Sequence, residues 1–140
     1  MRLIDLFESI SSVYIGDDQY DLADQAEKLS RASTINILRD KELSMVLVDD
    51  STNEVVGGLW TSFDGSEYSF DVIVADKYKG TGLGHRLISA GMDDYNNYAM
   101  DMDVDLNLHV TNPFLPKVLS SRYKLKVKEK HPDGTVSMGF

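Results

Sequence analysis

The spacing of hydrophobic positions changes character along the chain. Leu3, Ile4, Phe7, Ile10 and Tyr14 recur at intervals of three and four, with Asp5, Glu8, Ser9 and Ser12 between them, which predicts an opening amphipathic helix. A second helix follows, with Leu22, Ala23, Ala26 and Leu29 as its buried stripe up to about Ala32. Asp17 or Asp18 would cap it by accepting from the free N–H groups of its first turn. From Leu43 the period falls to two. Leu43 to Asp50 reads as a strand, Asp49 to Asn53 as a polar turn, and Glu54 to Phe63 as a second strand. After the turn at Asp64-Gly65-Ser66, a third strand places Tyr68, Phe70, Val72 and Val74 on one face.

Helices then separate the strands. A glycine-rich turn leads into a helix ending near Ala99, followed by an alternating strand from Asp103 to Val110 and a helix from about Pro113 to Ser121. A hairpin closes the chain, Lys124 to Lys130 and Thr135 to Phe140 around His131-Pro132-Asp133-Gly134. Antiparallel strands first, then strand, loop, helix and strand, predict a mixed α/β (α+β) domain. Its central sheet is mostly antiparallel and flanked by helices, with one crossover joining parallel neighbours. At 140 residues this is one domain, 1–140.

The turn after the third strand carries the most chemistry. Gly80, Gly82 and Gly84 alternate with Thr81 and Leu83 between a strand and a helix, where the backbone can turn tightly and aim several N–H groups at one point. The helix start adds unpaired amides and partial positive charge, making a cradle for an anion such as phosphate. The same glycines would also serve as a plain tight connection. A Walker loop is excluded because His85-Arg86 stands where Lys-Ser/Thr is required, and the dinucleotide fingerprint is excluded because the spacing is Gly-x-Gly-x-Gly.

Charge and composition narrow the classes. Fourteen basic against 23 acidic residues leave a formal charge of −9, which disfavours nucleic acid and anionic lipid and favours a cationic partner. The absence of cysteine removes disulfides, thiolate catalysis and cysteine metal sites, and suits a reducing cytoplasm. No run approaches the ~20 apolar residues of a membrane span, and Asp5 and Glu8 interrupt any signal-peptide core, so a cytoplasmic protein is expected. Asp101, Asp103 and Asp105 imitate the start of a calcium loop, but Leu106 occupies its glycine position and Asn112 its bidentate glutamate position, so no metal is expected.

The segment Val72 to Leu87 resembles the GNAT N-acyltransferase superfamily, whose pyrophosphate loop reads Arg/Gln-x-x-Gly-x-Gly/Ala after a strand. Lys79-Gly80-Thr81-Gly82-Leu83-Gly84 matches it with Lys in the first place, and Val72, Val74, Asp76 and Tyr78 follow the spacing of the family's preceding strand. Leu43 to Trp60, with Gly57 or Gly58 after the turn, is similar to the family's second and third strands. Asn112, Leu115, Leu119 and Tyr123 are similar to its later segment. The resemblance covers roughly Leu43 to Val127, and the family's opening strand has no counterpart before Leu3.

That resemblance implies acetyl-CoA as the acyl donor and an amine, of cationic character, as acceptor. Lys79 and the loop from Gly80 through Thr81, Gly82, Leu83 and Gly84 to His85 would meet the pyrophosphate, the Val74 backbone would pair with the pantetheine arm, and Asn112 belongs to the same set. Lys77, Lys79, His85 and Arg86 would reinforce the backbone donors. Family members often place a tyrosine acid seven positions after the motif asparagine; here that position is Leu119, and Tyr123 is the nearby candidate. Asp71, three residues before Val74 and opposite Val72, is the candidate base, with Glu67 and His109 behind it, although the pattern favours solvated strand positions for the two carboxylates and a structural place for His109. The rival function is a catalytically silent member of the fold serving as a binding or structural component, as in a virion. Lys79, Leu119 and the missing opening strand are the features that favour it. A homodimer or larger assembly stays open.

Overall fold

The computed structural model describes residues 9–16, 18–32, 41–63, 66–99, 104–110 and 115–140. Its elements run β1 (Ile10–Tyr14), α1 (Tyr20–Ala32), β2 (Glu42–Asp49), β3 (Glu54–Phe63) and β4 (Glu67–Val74). A 3-10 turn (Asp76–Tyr78) leads to α2 (Leu83–Ala99), β5 (Asp105–Val110), α3 (Leu115–Tyr123), β6 (Lys126–Lys130) and β7 (Val136–Gly139). The strands form one seven-stranded sheet in the order β1-β2-β3-β4-β5-β7-β6. Every pairing is antiparallel except β4 with β5, which are joined by the α2 crossover. The mixed, mostly antiparallel sheet expected from the pattern is present.

The opening helix is corrected over Ile10 to Tyr14, which form an edge strand paired from Ile10↔Asp49 to Tyr14↔Met45. Spacings of three and four fit a helix, but Ile10 and Val13 also lie on opposite faces of an extended chain. Ile10 joins the core under α2 while Val13 packs on the core under α1. β-branched residues around Ser11-Ser12 suit a strand better than a helix interior. Among the described residues the first strand is β1, which lies after Leu3 rather than before it. The remainder of the expected helix, residues 3–8, lies outside the described residues, as do Asp17, the acids 101–103 and Asn112. Asp18 sits in the turn before α1, which is closed by Gln19 Oε1 accepting from Gly16 N–H at 2.8 Å. α3 ends two residues later than expected, so Tyr123 is its last residue rather than the entry to a strand.

Each sheet face has its own core. On one, Tyr68, Phe70, Leu47, Leu83, Leu87 and Leu119 pack beneath α2 and α3. On the other, Ala26 of α1 covers Val46, Val48, Val55, Trp60 and Ile73. Phe70 is fully buried, a burial worth about 1.5–3 kcal/mol. It comes so close to α2 that a Cβ at Gly91 would lie 2.7 Å from its ring. The phenols in this layer are satisfied: Tyr68 donates to Asp94 Oδ2 and Tyr95 to the Val104 carbonyl, each at 2.7 Å. No described helix is long and apolar enough to cross a membrane.

Candidate functional site

Strands β4 and β5 are paired only from Glu67↔Asp105 to Phe70↔Leu108. Beyond that point β4 runs on to Val74 held by β3, and β5 runs on to Val110 held by β7. The parallel neighbours thus part company in mid-sheet. The Ala75 N–H donates to the Val56 carbonyl at 2.8 Å, toward β3. Peptide groups alternate in direction along an extended strand, so Val72 and Val74 aim theirs the other way, into the gap. An extended polar chain inserted there would find a strand edge ready to pair, which is what the Val74 expectation requires.

The glycine loop lies at the end of the same strand. Its first helical bond runs from Arg86 N–H to the Gly82 carbonyl, leaving the N–H groups of Gly82, Leu83, Gly84 and His85 as the unpaired first turn of α2. The Thr81 amide instead donates to the Tyr78 carbonyl at 3.3 Å, so the run of free amides begins at Gly82. Gly82 has φ +89°, in the left-handed region that a β-branched residue adopts only under strain.

The loop is anchored from below. Tyr78 is buried and its hydroxyl donates to Asp49 Oδ2 at 2.8 Å, while Asp49 Oδ1 accepts from the Ser51 amide and hydroxyl. The Ser51 hydroxyl and then the Tyr78 phenol hold the Asp49 carboxyl below its ordinary range, and the same carboxylate pushes the phenol up. The aromatic position of the motif is therefore a tether between the β2–β3 turn and the loop.

The side-chain cations are otherwise engaged. Lys77 pairs with Glu54 at 3.1 Å, Lys79 with Asp76 at 2.8 Å, and Arg86 donates to the Ile10 carbonyl and the Ser12 hydroxyl of β1. Arg86 thus fastens α2 to the edge strand. His85 is exposed at the cradle. The donors this loop leaves available are chiefly backbone amides.

Asp71 is the first β4 residue past the last β4–β5 pair, on the sheet face that carries Ile73 and α1. Where the sequence favoured a solvated strand residue, Asp71 is 4% exposed. Lys41 reaches across β3 to place Nζ 3.0 Å from Asp71 Oδ2, yet that oxygen has no donor in hydrogen-bonding geometry among the described residues. Burial pushes the Asp71 carboxyl up to about 6, with the Lys41 charge opposing the rise. No local pattern marks Lys41, because its relation to Asp71 exists only through the pairing of three strands.

Beside this pair a groove of about 740 Å³ opens on the same face, lined by polar groups that include Lys41, Ser62, Ser69, Asn107, Thr135 and Ser137. Glu67 stands at its edge, accepting from Asn107 Nδ2 at 3.4 Å. His109 lies in β5, paired with Ser137. Tyr123 packs half-buried on the α2-side core with the Arg122 guanidinium 5.7 Å from its ring centre, and Leu119 is wholly buried. The loop and the strand gap are therefore continuous, Asp71 opens on the opposite face, and Tyr123 belongs to the α2 side. No cluster of metal-ligating side chains occurs among the described residues.

Compared by sequence, the chain matches no family model and no curated protein. Compared by structure, it is similar to an aminoglycoside 6'-N-acetyltransferase complexed with coenzyme A, at TM-score 0.63 and 12% identity over 93% of this chain and 96% of that one. It is similar to a GNAT family acetyltransferase from Elizabethkingia anophelis with acetyl-CoA bound, at TM-score 0.57 and 16% identity over 94% and 95%. It is likewise similar to an Arabidopsis thaliana protein in complex with the bisubstrate analogue CoA-Ac-MVNAL, at TM-score 0.63 and 13% identity over 94% and 98%. The fold is that of the GNAT acyl-CoA N-acyltransferases.

Proposed function

We propose that this chain is an acyl-CoA-dependent N-acetyltransferase acting on a primary amine. The observation that carries this reading is the parting of β4 and β5 beyond Phe70 and Leu108, with the unpaired amides of Gly82 to His85 at the end of the same strand. One site offers a strand edge and the other an anion cradle, which together suit a cofactor with a polar amide arm and a pyrophosphate. Structures of the same fold that hold coenzyme A or acetyl-CoA support the choice of acetyl-CoA, which would supply an activated thioester.

In this reading Val72 and Val74 bind the pantetheine arm and the α2 amides bind the pyrophosphate, with Lys79 at the loop entrance. Asp71 takes the proton of the acceptor amine. A carboxyl poised near 6 is ionised at neutral pH and is a stronger base than an exposed aspartate. Tyr123 returns a proton to the departing sulfur, and the polar groove beside Lys41 receives the acceptor. The charge of −9 favours a cationic amine there. Thiol release from acetyl-CoA in the presence of polyamines, amino sugars and peptide amines tests the activity. Amine-dependent release is the expected result; donor binding without release for any amine would leave the silent binding component in its place.

A further inference from the structure

We propose that Lys41 is itself an acetyl acceptor, modified at Nζ by the donor that the β4–β5 gap binds. This rests on the acyl-CoA reading above and goes beyond it by naming a modification site on the chain.

The juxtaposition is specific. An acceptor must bring a nitrogen to the candidate base at the place where β4 leaves β5, and Lys41 already holds a nitrogen 3.0 Å from Asp71 Oδ2 there. Its side chain is 11% exposed, unlike Lys124, Lys126, Lys128 and Lys130, which lie exposed at the far edge of the sheet. It also lines the polar groove that would receive an external amine. Lys41 thus places its ammonium where the candidate base would meet that of an acceptor. Proximity of this kind replaces a bimolecular encounter with an intramolecular one.

The chemistry balances with acetyl-CoA as the only co-reactant. The Lys41 ammonium gives a proton to the Asp71 carboxylate, and the neutral amine attacks the thioester carbonyl carbon. The C–N bond forms, the C–S bond breaks, and the sulfur leaves with the electron pair and takes up a proton. The attacking nitrogen loses its second proton as the amide forms, so the products are N-acetyl-lysine, free thiol and one proton. The amide removes the cation beside Asp71 and adds bulk to the groove that Lys41 lines, making the modification self-limiting and inhibitory toward external amines.

The test incubates the full chain with acetyl-CoA alone, follows intact mass, maps the acetylated peptide, and measures acetyl-CoA binding by calorimetry on the same preparation. A single acetyl group on Lys41 is expected. It should appear at least about tenfold faster than on Lys126 or Lys128, slow by at least about tenfold in Asp71→Asn, and vanish from the intact mass in Lys41→Arg. Binding without acetyl on Lys41, or acetylation of exposed lysines at the same rate, overturns the proposal and leaves the acyl-CoA reading intact. Absence of binding overturns both. The mapping on the unaltered chain decides the matter even if a variant fails to fold.

Discussion

Replacing Asp71 with Asn should change how folding stability depends on pH. In the folded chain burial raises this carboxyl to about 6 from its ordinary 3.8, with Lys41 offsetting part of the rise. Between those values the folded state holds more protons than the unfolded state, so stability contributed by the protonated form is complete below about 3.8. It is lost as pH rises through about 6. At about 1.4 kcal/mol per pH unit, the span is worth roughly 3 kcal/mol. Urea unfolding of the parent and of Asp71→Asn, each at pH 4 to 7, isolates this group, because the other carboxyls cancel in the difference. The parent should lose about 2 kcal/mol relative to the variant between pH 4 and 7, since part of the span lies below pH 4. Parallel stability curves would refute the burial of the carboxyl and the tuning of the base with it.

Three further outcomes follow from the same geometry. Gly91→Ala drives a methyl group into the Phe70 ring at 2.7 Å and should destabilise the fold by about 1–3 kcal/mol in urea unfolding; no loss would mean that α2 sits farther from β4. If Tyr123 protonates the leaving sulfur, Tyr123→Phe should lower kcat by roughly ten- to a thousandfold with little change in donor affinity; a change within about twofold would return Tyr123 to the core it packs on. If the charge of −9 steers a cationic acceptor, its turnover at low substrate should fall with added salt while that of a neutral amine does not; equal salt sensitivity would leave the charge without a steering role.

The sheet was legible in the sequence where side chains alternate, as in β4, or where an apolar run lies between turn residues, as in β3, and the glycine loop was legible because its backbone demands leave a local signature. β1 was misread because Ile10, Val13 and Tyr14 satisfy two periods at once, and only the exposed edge of β2 decides between them. Leu119, which the family pattern marks as the acid position, is a core residue for a reason visible only once α3 is docked on the sheet. The Lys41–Asp71 pair and the Tyr78–Asp49 tether leave no local trace in the sequence for a common reason. Each joins residues about thirty positions apart, 30 for the first and 29 for the second by their numbers, through strand register that no local pattern encodes.

Calorimetric titration with acetyl-CoA, on the parent chain and on Gly82→Val, tests the central claim most directly. A valine at φ +89° strains the loop, and its side chain stands among the amides assigned to the pyrophosphate. The account predicts saturable one-site binding in the parent and its loss in Gly82→Val, with a native circular dichroism spectrum in both. No heat of binding in the parent, or equal affinity in the two, would contradict it.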